Sequence, residues 1–254
     1  MTVTIEYDAE YTESLRRRVV DRYSSSVVRS GTHISDLLYC LLKAWGKRRI
    51  PESEWTQPDP DEDPHVMWAQ GLQFEDLVEE GERQQARAWC ATCNVVSSLP
   101  PAVEGPDGRF HEVSRCSVCG ARWLIGTPDF IVSVAGERVI HEMKQTRKSQ
   151  RRGPEDAPWW IEQLRSYFLF EWVRSGRPHV WNAWGRLIAN WLMGDYGEKR
   201  KGKRPRGPRS VIEAFRVADD GNWLEWADEL QRRKAVVEGP ERPELSGMDT
   251  HADS

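Results

Sequence analysis

The spacing of apolar positions changes period along this chain. Between 126 and 148 they alternate. Phe130-Ile-Val-Ser-Val134 is apolar and β-branched, Ala135-Gly136-Glu137 can turn, and Val139-Ile-His-Glu-Met-Lys144 returns. That pattern predicts a β-hairpin. Elsewhere the period is helical. Residues 9–28 read as a charged helix with Arg16, Arg17 and Arg18 on a solvated turn, and Ser35-Asp36 reads as the cap of a helix over 37–45. A helix is expected over roughly 66–88, with Trp68, Leu72, Leu77 and Val78 on its apolar face. Residues 159–172 are apolar almost all round, which predicts a buried helix. A strand is expected over 179–193, where a helical start also fits, another strand over 210–217, and an amphipathic helix over 223–237. Residues 51–64, rich in Pro, Asp and Glu, read as a polar loop, and 239–254 as a disordered tail.

Composition narrows the class. The 254 residues suit one large domain, or one domain with an insertion, and no solenoid repeat is visible. The net charge of −4 does not announce a nucleic-acid binder, but its distribution is uneven. Basic residues gather at 144–152, including Arg147, Lys148, Arg151 and Arg152. They gather again at 199–209, with Lys199, Arg200, Lys201, Lys203, Arg204 and Arg206. Both clusters read as contacts to a phosphate backbone, the second as a clamp; a solvated loop is the alternative for it. Thirteen Trp residues are enough both to pack helices and to leave a few for base stacking. No run is apolar and long enough to span a membrane, and the first residues lack the layout of a signal peptide. A cytoplasmic protein is therefore expected, of a bacterium or of a host cell if phage-encoded. There, five cysteines act as thiols or metal ligands rather than disulfides.

Four of those cysteines form two C-x-x-C pairs, Cys90/Cys93 and Cys116/Cys119. Each pair presents two thiolates from one tight turn, and two turns complete a tetrahedral sulfur site suited to structural zinc. The sequence between them has the turns and short strands of a ribbon and little apolar surface, so the metal would order it. Cys40, in an apolar helical run, reads as a small buried hydrophobe. The hairpin carries the other candidate chemistry. Asp129 opens its first strand, while Glu142 and Lys144 alternate on the second and so share a face. Converging carboxylates make a hard oxygen site for magnesium or manganese, and a lysine beside them can orient water and offset phosphate charge. Read singly, Thr-Pro-Asp is also ordinary turn chemistry, Glu75 a surface carboxylate, and the Gln163/Tyr167 pair a core polar contact.

Taken in order, these motifs resemble the PD-(D/E)XK nuclease superfamily, in its RecB-type and lambda-exonuclease-type branches. The residues are Gly71-x3-Glu75 and Gly126-Thr-Pro-Asp129, followed by Glu142-x-Lys144 and Gln163-x3-Tyr167, over roughly 33–175. The resemblance implies an α/β restriction-endonuclease-like core, a mixed sheet flanked by helices. It would span 33–238 after an N-terminal helical segment over 1–32, with the cysteine element inserted at 88–122. It also implies that Asp129, Glu142 and the Met143 carbonyl hold the catalytic metal, with Glu75 as ligand or supporting carboxylate. Lys144 would position the attacking water, and Gln163 and Tyr167 would hold the substrate strand. Two departures stand out. Glu75 matches the lambda-type branch where RecB-type enzymes carry His. The Cas-four enzymes bind an iron–sulfur cluster through cysteines beyond the core, and no cysteine follows Cys119. Zinc is expected in place of that cluster.

The resulting expectation is a magnesium- or manganese-dependent DNA exonuclease of recombination, repair or phage DNA processing. It would act on single strands or duplex ends, and a recombination or CRISPR-associated protein is a conceivable partner. A site- or structure-specific endonuclease on the same core, and a catalytically silent DNA- or partner-binding module, are the alternatives.

Overall fold

The computed structural model describes residues 27–38, 40–51, 54, 82–146, 154–178, 183–192, 211–219 and 221–243. Within them the chain is mixed α/β. A five-stranded mixed sheet is built from β3 (Glu82–Arg83), β9 (Phe130–Val134), β10 (Glu137–Thr146), β11 (Ala183–Trp191) and β12 (Val211–Asp219). Their spatial order is β12-β11-β10-β9-β3. Only β10 and β11 run parallel, with Glu142 opposite Leu187 and Lys144 opposite Ala189. That pairing needs a crossover, and helix α3 (Pro158–Arg174) lies within it.

The hairpin forms as the alternation predicts, but its turn is tighter. Ala135 and Gly136 take φ of +52° and +84°, and Glu137 already pairs with Val134. A two-residue turn with both centres left-handed matches the twist of the flanking strands, so Glu137 belongs to β10 and not to the turn.

Helix α3 starts with Pro158 at its first turn, where a missing N–H costs nothing. It is the centre of the core. Leu164, Phe168, Leu169 and Phe170 are fully enclosed, and each such side chain contributes about 1.5–3 kcal/mol. One flank packs on the sheet, where Trp160 meets Trp191 with ring centroids 5.7 Å apart. The other receives α4 (Trp223–Glu238), whose Trp223 stands edge-on to Phe168 and whose Trp226 donates its indole N–H to Ser166 Oγ at 3.2 Å.

A second sheet joins β2 (Thr32–His33), β8 (Leu124–Gly126), β4 (Arg87–Cys90) and β5 (Val95–Ser98). A third, of β1 (Val27–Val28), β7 (Phe110–His111) and β6 (Val103–Glu104), extends the ribbon. Several expectations change here. Residues 82–83 and 87–90 are strands, not the end of a helix over 66–88, because 82–83 pair with Phe130 and Ile131 and 87–90 are clasped between β5 and β8. Val27 and Val28 are likewise extended against Phe110 and His111 rather than helical. The helix expected over 37–45 is two, α1 (Ile34–Leu38) and α2 (Leu41–Lys47). Cys40 lies at the break as a half-buried N-cap whose Sγ accepts from Lys43 N at 3.4 Å, so it is not a buried hydrophobe inside one helix. At the C-terminal end, Gly239 O accepts the Trp45 indole N–H at 3.1 Å, so the tail expected from 239 onward begins packed. None of the described helices is long and apolar enough to cross a membrane.

Candidate functional site

The two β10 side chains that the alternation places on one face meet there. Lys144 Nζ donates to Glu142 Oε1, and Glu142 is only 1% exposed, so a buried carboxylate has an ammonium against it. Lys144 Nζ also donates to Gln163 Oε1 at 3.0 Å, and Gln163 Nε2 donates to Tyr167 OH at 2.9 Å. Gln163 and Tyr167 are one turn apart on α3 and so face the strand together. The chain of bonds thus runs from the sheet into the helix.

Asp129 joins from the neighbouring strand. The β9–β10 ladder ends at the Phe130–His141 pair, and beyond it Met143 N–H is taken by Asp129 Oδ2 at 2.6 Å. This charge-assisted bond holds the carboxylate beside the Glu142–Lys144 segment. The Met143 side chain points to the opposite face, where it packs with Phe130 and Ile188. A close approach of α3 makes this possible. A Cβ on Gly126 would sit 2.9 Å from Tyr167 Cε1 and 3.1 Å from Ile34 Cγ1, so glycine lets the tyrosine lie directly on β8.

The described structure therefore brings together Asp129, Glu142, Met143, Lys144, Gln163 and Tyr167. Glu75 lies outside the described residues. So do Arg147, Lys148, Arg151, Arg152, Lys199, Arg200, Lys201, Lys203, Arg204 and Arg206.

The four ribbon cysteines form a second centre. Their sulfurs all lie within 4.8 Å of one another, with Cys90 to Cys119 at 3.4 Å and Cys93 to Cys116 at 3.9 Å. A tetrahedral zinc with sulfur at about 2.3 Å needs edges of about 3.8 Å, so the set can hold a metal such as zinc. The two turns repeat one device, since the residue after each pair, Asn94 at φ +57° and Gly120 at φ +73°, is left-handed and turns the chain away. Electrostatics favour ligation too. Backbone N–H groups of Cys119 and Val118 and the Trp123 side chain bring Cys116 down to about 6, which favours its thiolate. The crowding this creates pushes Cys93 up to about 12, chiefly through its hydrogen bond with Cys119, and burial raises Cys90. A bound cation would remove that conflict by stabilising all four as thiolates. Cys40 is not part of this cluster.

Spacing in the sequence did not reveal how the ribbon is anchored. Arg87 of β4 pairs with Glu171 of α3, which also binds Arg174 at 2.6 Å, while Arg177 bonds Asn94 in the first turn. Burial, then the charges of Arg174 and Arg138, lower Arg87 to about 10. No local pattern marks a contact between residues so far apart in the chain.

No protein-family model matches the chain, and no curated protein matches it significantly. Among solved structures it resembles the crystal structure of SSO0001, at 12% identity over 94% of this chain and 91% of that one. The TM-score is 0.47, a likeness too slight to transfer fold or function.

Proposed function

We propose that this chain is a metal-dependent DNA nuclease of the PD-(D/E)XK type, most simply an exonuclease. The observation that carries the reading is the continuous arrangement of Asp129, Glu142, Lys144, Gln163 and Tyr167 across one hairpin and the helix above it. A buried carboxylate–lysine pair that serves stability alone is easily replaced by apolar side chains, and three charged groups on one corner of a sheet ask for a further purpose.

The donor set fits a hard divalent cation. Asp129 and Glu142 offer acceptor-only oxygens, the Met143 carbonyl a third, and none of these ligands is soft. When bound there, magnesium or manganese supplies a Lewis acid that activates water and neutralises phosphate charge. The residues do the rest. Met143 N–H fixes Asp129, and the interior setting of Glu142 keeps competing water from it. Lys144, oriented by Gln163, holds the attacking water or balances charge on the phosphate as the bond to the leaving oxygen lengthens. Tyr167 sets the Gln163 amide, whose N–H it accepts.

Purified protein incubated with magnesium and end-labelled linear or covalently closed circular DNA tests the reading. Linear DNA should shorten from its ends while circles persist. Cleaved circles would make it an endonuclease, and no metal-dependent cleavage of either would overturn the assignment.

A further inference from the structure

Away from this centre, on the seam between ribbon and helices, a cavity of about 440 Å³ is walled by Arg29, Lys47, Arg48 and Arg122, with Asp36 as its one carboxylate. The cations come from three separate stretches. Arg29 follows β1, Lys47 and Arg48 close α2, and Arg122 leaves the second cysteine turn. The fold is what assembles them.

Two other half-buried arginines of this molecule have carboxylates against them, Arg165 with Asp219 at 2.6 Å and Arg233 with Glu162 at 3.0 Å. Here the contacts are neutral. Arg48 donates to Gly31 O at 2.9 Å and Thr32 Oγ1 at 2.8 Å, and Arg122 to Ser30 O at 3.2 Å. Among the described residues no acid lies within ion-pair distance of any of the four. Burial and then the charge of Arg122 push Arg48 below its ordinary value against the weaker opposing pull of Glu238 and Asp36, whereas Arg233, though burial opposes its charge too, is carried upward by Glu162 and Glu229. Holding like charges together costs stability, and a polyanion in the cavity would return it.

We infer that this cavity is a phosphate cradle that grips the backbone of a nucleic-acid strand on the ribbon side of the molecule. The inference rests on the nuclease reading for its ligand, but its geometry is independent of the carboxylates. A volume of this size accommodates several linked groups rather than one ion. Arg29 and Lys47 are exposed at the rim, where a strand can enter, and the bonded Arg48 and Arg122 form the wall. The cradle also connects to the proposed centre. Arg122 precedes Asp129 by seven residues, at most about 25 Å of chain, and Ile34 beside the cavity wall touches the Gly126–Tyr167 contact.

The test is binding of a fluorescein-labelled single-stranded oligonucleotide by zinc-loaded full-length protein across a salt series, in calcium without magnesium. Arg29→Ser/Lys47→Ser changes two exposed side chains, and a thermal melt checks that it folds as the parent does. Each single-strand phosphate contact contributes a slope of roughly 0.7 in log K against log salt, so the variant should lose about 1.4 units and bind all sequences more weakly. A charge-reversed Arg29→Glu/Lys47→Glu protein should lose more. Equal slopes and affinities for parent and variants would overturn the cradle, as would a parent that does not bind the oligonucleotide. Calorimetry with inorganic phosphate alone separates a free-ion site, since strong phosphate binding with variant-insensitive oligonucleotide binding also overturns it. A lost slope in a protein that never cleaves DNA in magnesium would leave the cradle standing and remove the nuclease reading. Cleavage with unchanged slopes would do the opposite.

Discussion

The cysteine ribbon and the carboxylate hairpin are held in place by different forces. The ribbon buries a small set, Ala88, Cys90, Cys116, Trp123 and Ile125, and leaves Val95, Val103, Phe110 and Val118 largely in solvent. Such a surface alone is too small to offset the entropy of ordering so many turns, and a metal held by the four thiols would do what a core does elsewhere. The hairpin rests instead on α3, and its charged groups are positioned by packed aromatic and aliphatic side chains. A region that metal ligation orders would be switched by metal supply. A region ordered by packing keeps its geometry whether or not a metal is bound.

The sharpest way to break this contrast is to remove the thiol site. Structural zinc contributes about 10–16 kcal/mol in small metal-ordered units. Cys116→Ser should therefore release about one equivalent of metal by elemental analysis. Amide exchange at residues 90–120 should rise while β9, β10 and α3 stay protected. Simultaneous loss of protection in both regions would show one cooperative unit, with the Arg87–Glu171 anchor dominating.

A smaller effect is expected at the hairpin, and on function more than fold. Asp129→Ala should lower cleavage by about 10²–10³-fold, the scale of a lost charge-stabilising group, with a melting temperature near the parent's. Lys144→Ala should abolish cleavage and also destabilise by about 3 kcal/mol, because it removes the ammonium beside buried Glu142. Adding Glu142→Gln should recover most of that stability and none of the activity, as denaturant titration and a cleavage assay would show.

Packing supplies the next test. A methyl on Gly126 meets Tyr167 at 2.9 Å, and overpacking of this kind costs about 1–3 kcal/mol. Gly126→Ala should also slow cleavage, since displaced Tyr167 carries Gln163 and hence Lys144 with it. Unchanged kinetics in a destabilised variant would show that the helix does not position the lysine.

The smallest change is Tyr167→Phe, which deletes the hydroxyl that accepts from Gln163. A loss of about 1 kcal/mol in stability and a few-fold drop in cleavage rate are expected.

Much of this architecture is legible in the chain because it is local. Period-two alternation marks both strands of the hairpin, and the continuous apolar run marks α3 to within two residues at either end. The two C-x-x-C turns announce a four-thiol set, since sulfur spacing within each turn is a property of a few consecutive residues. The pairing of Glu142 with Lys144 follows from strand geometry alone, and that of Gln163 with Tyr167 from the helical repeat.

What the chain did not disclose depends on partners distant in sequence. Residues 82–83 and 87–90 carry no strong period, and their strand form follows from Phe130, Ile131 and the β5 and β8 edges that receive them. The break at Cys40 has no proline or glycine to signal it. Arg87 finds Glu171, and Arg29, Lys47, Arg48 and Arg122 find one cavity, only once sheets and helices have closed around them. Sequence by itself determined the alternation of the hairpin, the apolar body of α3 and the ligand chemistry of the cysteines, because propensity and spacing act over a few residues. Tertiary structure alone decided which charges from distant stretches meet, because Coulomb interactions and hydrogen bonds depend on distance in space and are blind to distance along the chain.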